Sequence, residues 1–212
     1  MKTVLITGAG SGVGEALKEV FNKHEWEVIA LAHEDLDIAE QKSIEELIKK
    51  LQGKPIDVLI NCAGVYDGPA DGDSTVTTID STTKVFQVNT IGPKILADLL
   101  LPNLLKGKEK LIVTISSVLS TYFKLDDYAA RHWSYGASKM AVNYAMISFT
   151  KEHPEIKSVL IHPGWVKTKI GGIDAVITPN ESAVGIYKLI INHQSSLLNG
   201  KLIDYQGNLI EF

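Results

Sequence analysis

The stretch Thr3-Val-Leu-Ile-Thr-Gly-Ala-Gly-Ser-Gly-Val-Gly14 decides how the rest of this chain is read. Its first five residues are apolar or β-branched, the makeup of a buried strand. The glycines that follow allow a tight turn, and a helix is expected over Gly12–His24. A strand that turns on glycine into a helix offers the first backbone N–H groups of that helix to a phosphate. The literal G-x-G-x-x-G pattern is absent: counted from Gly8, its last position falls on Val13, and the sequence reads T-G-x-x-x-G-x-G. Such a turn is equally a plain strand–helix connection.

Working outward, short apolar runs alternate with segments of helical period. The runs are Thr3–Thr7, Glu27–Leu31, Asp57–Asn61, Lys110–Ser116, Ser158–His162 and Lys201–Asp204. Further helices are expected at Glu40–Gln52, Ser81–Leu105, Ser134–Glu152 and Glu181–Asn192, the second of these kinked or broken at Gly92-Pro93. This alternation predicts a doubly wound α/β fold with a mostly parallel sheet and helices on both faces. No repeat or long linker divides the chain, so residues 1–212 are read as one domain. Two polar stretches, Val65–Asp80 and Ser120–Ser134, are expected to be loops at the carboxyl ends of strands, where ligands bind in such sheets.

Composition narrows the function. With 212 residues, 45% of them hydrophobic, the chain can bury a sizeable core. A net charge of −4, with 20 scattered lysines and Arg131 as the only arginine, argues against nucleic acid as a partner. The single cysteine, Cys62, excludes an internal disulfide or multi-cysteine zinc site and is expected to be a buried structural thiol. His132, His153, His162 and His193 lack metal-site spacing, so no metal is expected. Val4-Leu-Ile6 is too short for a signal peptide or membrane span, and a cytoplasmic protein without membrane association is the expectation.

A second stretch, Tyr135-Gly-Ala-Ser-Lys139, carries candidate chemistry. Residues four apart share a helix face, so this phenol and ammonium can meet one ligand. A free phenol titrates near pH 10, and a neighbouring cation favours its ionised form. Taken with the glycine loop, Asn61-Cys-Ala-Gly64, Asn89, Ser116-Ser117 and Pro163-Gly164, this motif resembles the short-chain dehydrogenases/reductases. The segments His162-Pro-Gly-Trp-Val-Lys-Thr168 and Gly200-Lys-Leu-Ile-Asp-Tyr-Gln-Gly207 resemble the C-factor-like and sniffer-like carbonyl reductases within that family.

The resemblance implies a Rossmann fold and an NAD(P)(H)-dependent oxidoreductase that reduces small aldehydes or ketones. Tyr135 would be the proton donor, Lys139 its activating cation and a ligand of the nicotinamide ribose, and Ser117 the donor to the substrate carbonyl, with Ser116 as the alternative. Asn89 would hold a helix irregularity and a water beside Lys139. Cofactor contacts are implied for Gly8, Ser11, Gly12, Val13, Gly14, Asp37, Ile38, Asn61, Ala63, Gly64, Pro163, Gly164, Val166 and Thr168. Cys62 replaces a frequent asparagine. A homodimer or homotetramer is implied as well.

Aligning strand ends puts Ala32 where NAD enzymes carry an acid and His33 where NADP enzymes often carry arginine, which favours NADP. Glu34 and Asp35 follow at once, and a register slip of two residues would make Glu34 a ribose ligand and NAD the cofactor. The short link from Asp35 to Ile38 implies that the sheet is trimmed after its second strand. The segment from Gly164 to Pro179 is also brief, which implies an open, shallow substrate site. Trp133 and Trp165 flank it as substrate walls or as core. Two other functions remain open: a dinucleotide-binding regulatory or signalling module with little turnover, and a nucleotide-sugar epimerase or dehydratase, which ranks last because such relatives carry a sizeable C-terminal domain.

Overall fold

The computed structural model describes residues 1–66, 78–122, 129–130, 132–192 and 199–212. Most of the two polar stretches therefore lies outside the described residues, as do Arg131 and His193.

Seven strands form one sheet in the order β2-β1-β3-β4-β5-β6-β7: β1 Thr3–Thr7, β2 Glu27–Leu31, β3 Val58–Asn61, β4 Leu111–Ile115, β5 Lys157–His162, β6 Leu202–Asp204 and β7 Leu209–Ile210. The first six run parallel, and β7 returns antiparallel to β6 as a hairpin that the sequence patterning did not announce. β1, β3 and β4 are buried at every position, as parallel strands covered on both faces must be. β2 is partly exposed and is one of the two edge strands among the described residues, in keeping with a sheet trimmed on that side.

Strand alternation sorts the core into two layers. Leu5, Leu59, Ile112, Leu160 and Leu202 face α2 (Gln41–Leu51), α4 (Gly92–Lys106) and α5 (Trp133–Glu152). Val4, Ile6, Val58, Ile60, Val113 and Ile161 face α1 (Gly12–Asn22) and α6 (Pro179–Ile191). Helices thus cover both faces. The chain leaves β1 towards β2 on one side and later enters β3 on the other, which opens a crevice at the carboxyl ends of β1 and β3.

The helix expected over Ser81–Leu105 is really three pieces: α3 (Ile79–Phe86), a π-helical turn at Gln87–Ile91, and α4. The irregularity precedes Gly92-Pro93 instead of falling on it. Gly92 itself keeps helical dihedrals, and Pro93 follows as the second residue of α4, directly after the π-helical turn. Gly92 is required by contact: a Cβ there would lie 2.2 Å from the Ile38 carbonyl oxygen. Pro102 inside α4 is likewise accommodated within a continuous helix.

Because the clash at Gly92 is with backbone, Gly92→Ala is expected to cost about 3 kcal/mol, the upper part of the usual overpacking range. Urea unfolding followed by circular dichroism measures this, and an unchanged midpoint would show that α4 does not depend on this close approach.

Candidate active site

The glycine loop ends β1 and begins α1. Gly8 has φ +69°, and a side chain there would meet Ala63 Cα at 2.7 Å, while a Cβ on Gly14 would lie 2.2 Å from the Gly8 carbonyl oxygen. Thr7 Oγ1 accepts hydrogen bonds from the N–H groups of Cys62 and Ala63, both at 3.1 Å, which locks the loop against the end of β3. Ser11 is the N-cap of α1, and Glu15 N donates to Ser11 O at 3.3 Å. The N–H groups of Gly12, Val13 and Gly14 therefore have no acceptor within the helix. Across the loop, Thr168 Cγ2 would stand 3.0 Å from a Cβ on Gly12. A bare backbone cradle with unspent N–H groups fits a pyrophosphate.

Tyr135 and Lys139 share one face of α5 and are 9% and 5% exposed. Lys139 Nζ donates to the Ile115 carbonyl at 2.8 Å and lies 5.7 Å from the Tyr135 ring centroid. Burial lowers the Lys139 ammonium to a pKa of about 8, with Cys62 opposing. Burial also pushes the Cys62 thiol up to about 12, although the residue as a whole is only half-buried. A Cβ on Gly64 would lie 3.5 Å from both Lys139 Nζ and Asn89 Oδ1.

Asn89 occupies the π-helical turn and is 1% exposed. Its Oδ1 accepts from Val65 N at 2.8 Å, and its Nδ2 donates to Val65 O at 2.9 Å and to Ser138 Oγ at 3.0 Å. Ser138 Oγ in turn donates to Tyr135 O at 2.7 Å. One amide thus joins the segment after β3 to the first turns of α5.

The two serines after β4 differ in their bonding. Ser116 Oγ donates to Asn143 Oδ1 at 2.7 Å, and Asn143 Nδ2 donates to Ser120 Oγ at 2.9 Å, so Ser116 belongs to a buried network. Ser117 Oγ accepts from Leu119 N at 3.1 Å, which leaves its hydroxyl proton for another acceptor. Spacing could have found Asn143, which continues Tyr135 and Lys139 at i+8 on the same face of α5. Thr7 and Ser138, by contrast, gave no sequence signal of their own.

At the other end of the crevice, Ala32 follows β2 beside the glycine loop, its Cβ 3.1 Å from where a Cβ on Gly10 would be. His33 and Glu34 are exposed, and Asp35 folds back so that its carboxylate accepts from Ala32 N at 3.0 Å. The Asp37 carboxylate accepts from Ala39 N at 3.0 Å, so it shapes the turn before α2 without being its N-cap, which is Glu40. Ile38 is buried against Gly92. Asn61 closes β3, 2% exposed, and among the described residues its side-chain amide has no hydrogen-bond partner.

Beyond β5, Pro163 O accepts from Ser182 Oγ at 2.7 Å, and Gly164 adopts φ +88°. Val166 is buried and pairs with Ile177 in an isolated bridge, making the segment before α6 a compact loop. Burial of its imidazole lowers the His162 pKa to about 4, with Asp204 opposing. Trp133 and Trp165 are each 50% exposed, so neither is core; Trp165 Nε1 donates to Gly171 O at 2.7 Å. Among the described residues, no helix is long and apolar enough to cross a membrane.

The model of the family described as short chain dehydrogenase matches residues 34–173, more than half of the chain. C-signal of Myxococcus xanthus is 35% identical over 158 residues, covering 72% of this chain and 90% of that protein. A short-chain dehydrogenase/reductase of Burkholderia multivorans with bound NADP is 25% identical, with a TM-score of 0.82 over 100% of this chain and 99% of its own. Carbonyl reductase Sniffer of D. melanogaster, 24% identical with a TM-score of 0.84 and complete coverage of both chains, shares the fold. On its sheet order, its site geometry and these matches, the chain belongs to the short-chain dehydrogenase family.

Proposed function

We propose that this chain is an NADP(H)-dependent carbonyl reductase acting on small aldehydes or ketones. The observation that carries the reading is the convergence of Tyr135, Lys139, Asn89 and Gly64 at the carboxyl ends of β3 and β4, beside a bare glycine cradle. Gly8, Ser11, Gly12, Val13 and Gly14 would hold the pyrophosphate, with Asp37, Ile38, Asn61, Ala63 and Gly64 along the adenosine side. Lys139 would bind the nicotinamide ribose, and Pro163, Gly164, Val166 and Thr168 the nicotinamide end. When bound, the nicotinamide supplies the hydride.

Hydride addition leaves negative charge on the substrate oxygen. Tyr135 delivers a proton to that oxygen, and the Ser117 hydroxyl donates a hydrogen bond to it. Lys139 lowers the cost of the phenolate that Tyr135 leaves behind. Replacing the Tyr135 hydroxyl in Tyr135→Phe is expected to reduce kcat about 100- to 10,000-fold, and Ser117→Ala about 100- to 1,000-fold. Retention of full NADPH-dependent turnover by Tyr135→Phe across the accepted carbonyls would sink the mechanism.

NADP is favoured by exposed His33 at the end of β2 and by the NADP bound to the Burkholderia multivorans relative. The Asp35 carboxylate on Ala32 N works against a 2′-phosphate. The expected result of thermal-shift titration is greater stabilisation by NADPH than by NADH at equal concentration; the reverse order would assign NAD instead.

Lys139 generates a pH signature in the cofactor-free protein. Its folded pKa, about 8, lies below the ordinary 10.5. Between these values the unfolded chain binds more protons, so the Lys139 contribution to stability rises with pH, and below about 8 its cost is fully present. Lys139→Met is expected to be more stable than the parent at pH 7, by at most roughly 3 kcal/mol, and to lose turnover. Thermal unfolding from pH 7 to 10.5 checks this, since the stability gap must close as pH rises.

The relative named C-signal supports a second reading, a dinucleotide-binding signalling module with little turnover. NADPH binding without reduction of any member of a broad carbonyl panel would favour it.

A further inference from the structure

Tyr66 and His132 meet beside Tyr135, although the first follows β3 and the second is the N-cap of α5. The Tyr66 hydroxyl contacts both imidazole nitrogens, Nδ1 and, at 2.9 Å, Nε2. Their ring centroids are 5.0 Å apart. The Tyr66 ring then stands against the Tyr135 ring at 5.6 Å with an interplanar angle of 77°, the T-shaped arrangement that aromatic quadrupoles prefer. His132 is 8% exposed and precedes Tyr135 by three residues, so both lie on one side of the first turn of α5.

This contact closes a loop of interactions. Asn89 fixes Val65 through both its N–H and its carbonyl, which anchors the backbone next to Tyr66. The same amide reaches Ser138, which bonds the Tyr135 carbonyl. Tyr66 therefore follows a residue, Val65, whose backbone is held by Asn89, and its hydroxyl meets His132, while the Tyr135 carbonyl is held by Ser138. The aromatic contact joins the two arms at the Tyr135 ring.

We propose that Tyr66 and His132 form a positioning pair that holds the Tyr135 phenol at the orientation proton transfer needs. The inference rests on the reading of Tyr135 as proton donor. Neither residue gives or takes a proton in the reaction. They act through Tyr135, because small displacements of a reacting group cost rate steeply.

Tyr66→Phe keeps the ring contact and removes the bond to His132, and His132→Leu removes the partner. Each is expected to lower kcat about three- to tenfold, the scale of one hydrogen bond, with carbonyl KM and NADPH affinity unchanged and the thermal midpoint lowered by no more than about 2–4 °C. The double variant should lose no more than the larger single loss, since both remove one interaction. His132→Gln, which can still bond the phenol, should recover part of the rate. Unchanged kcat in both single variants, losses that multiply in the double variant, or losses confined to KM or the thermal midpoint would overturn the proposal.

A readout independent of turnover is the Tyr135 13Cζ resonance in tyrosine-labelled protein with NADPH bound, assigned by its loss in Tyr135→Phe. It should move in both single variants and no further in the double. If the parent protein reduces no carbonyl, the carbonyl-reductase reading fails and this resonance still decides the pair: an unmoved signal in both variants overturns it.

Discussion

Lys139 carries an ammonium group into a site where it is 5% exposed, and the ends of the central strands are arranged around that fact. Burying a cation is costly unless it is hydrogen-bonded, and the Ile115 carbonyl at the end of β4 provides one acceptor. The remaining cost shows in the depressed pKa of about 8. A packed core alone would be better served by an apolar residue, and the burial of this lysine is one of the observations on which its proposed role rests. The loop after β3 passes beside it at Gly64, and Asn89 fixes that loop in place.

The precision of this arrangement comes from close backbone approaches. Gly8 against Ala63, Gly14 against the Gly8 carbonyl and Gly92 against the Ile38 carbonyl each leave no room for a Cβ. They seat α1, the β3 loop and α4 at fixed distances from the sheet. The π-helical turn before Gly92 turns Asn89 inward, where its amide meets the partners that join the β3 loop to α5. An irregular turn at such a point is common where helices serve sites.

Much of the architecture was legible in the chain. Apolar runs of strand length alternating with helical segments specified a parallel sheet with helices on both faces, because burial on both sides demands continuous apolar strands. Tyr135 and Lys139 could be placed on one helix face by spacing alone. Less was legible in the long helical segment: Gly92-Pro93 suggested a kink, whereas the glycine answers to Ile38 and the irregularity belongs to Gln87–Ile91. The short β7 escaped notice because two residues carry no period.

The sequence by itself determined the layered α/β fold, the glycine turn at the start of α1 and the pairing of Tyr135 with Lys139, because each is a local pattern read along the chain. Tertiary structure decided which of two adjacent serines keeps a free hydroxyl proton, since Ser116 is drawn into the network of Asn143 and Ser120. It also decided that Tyr66 and His132 meet beside Tyr135. Those contacts join residues far apart in the chain, and hydrogen-bond partners at such separation follow from how the strands and helices pack, which no local pattern encodes.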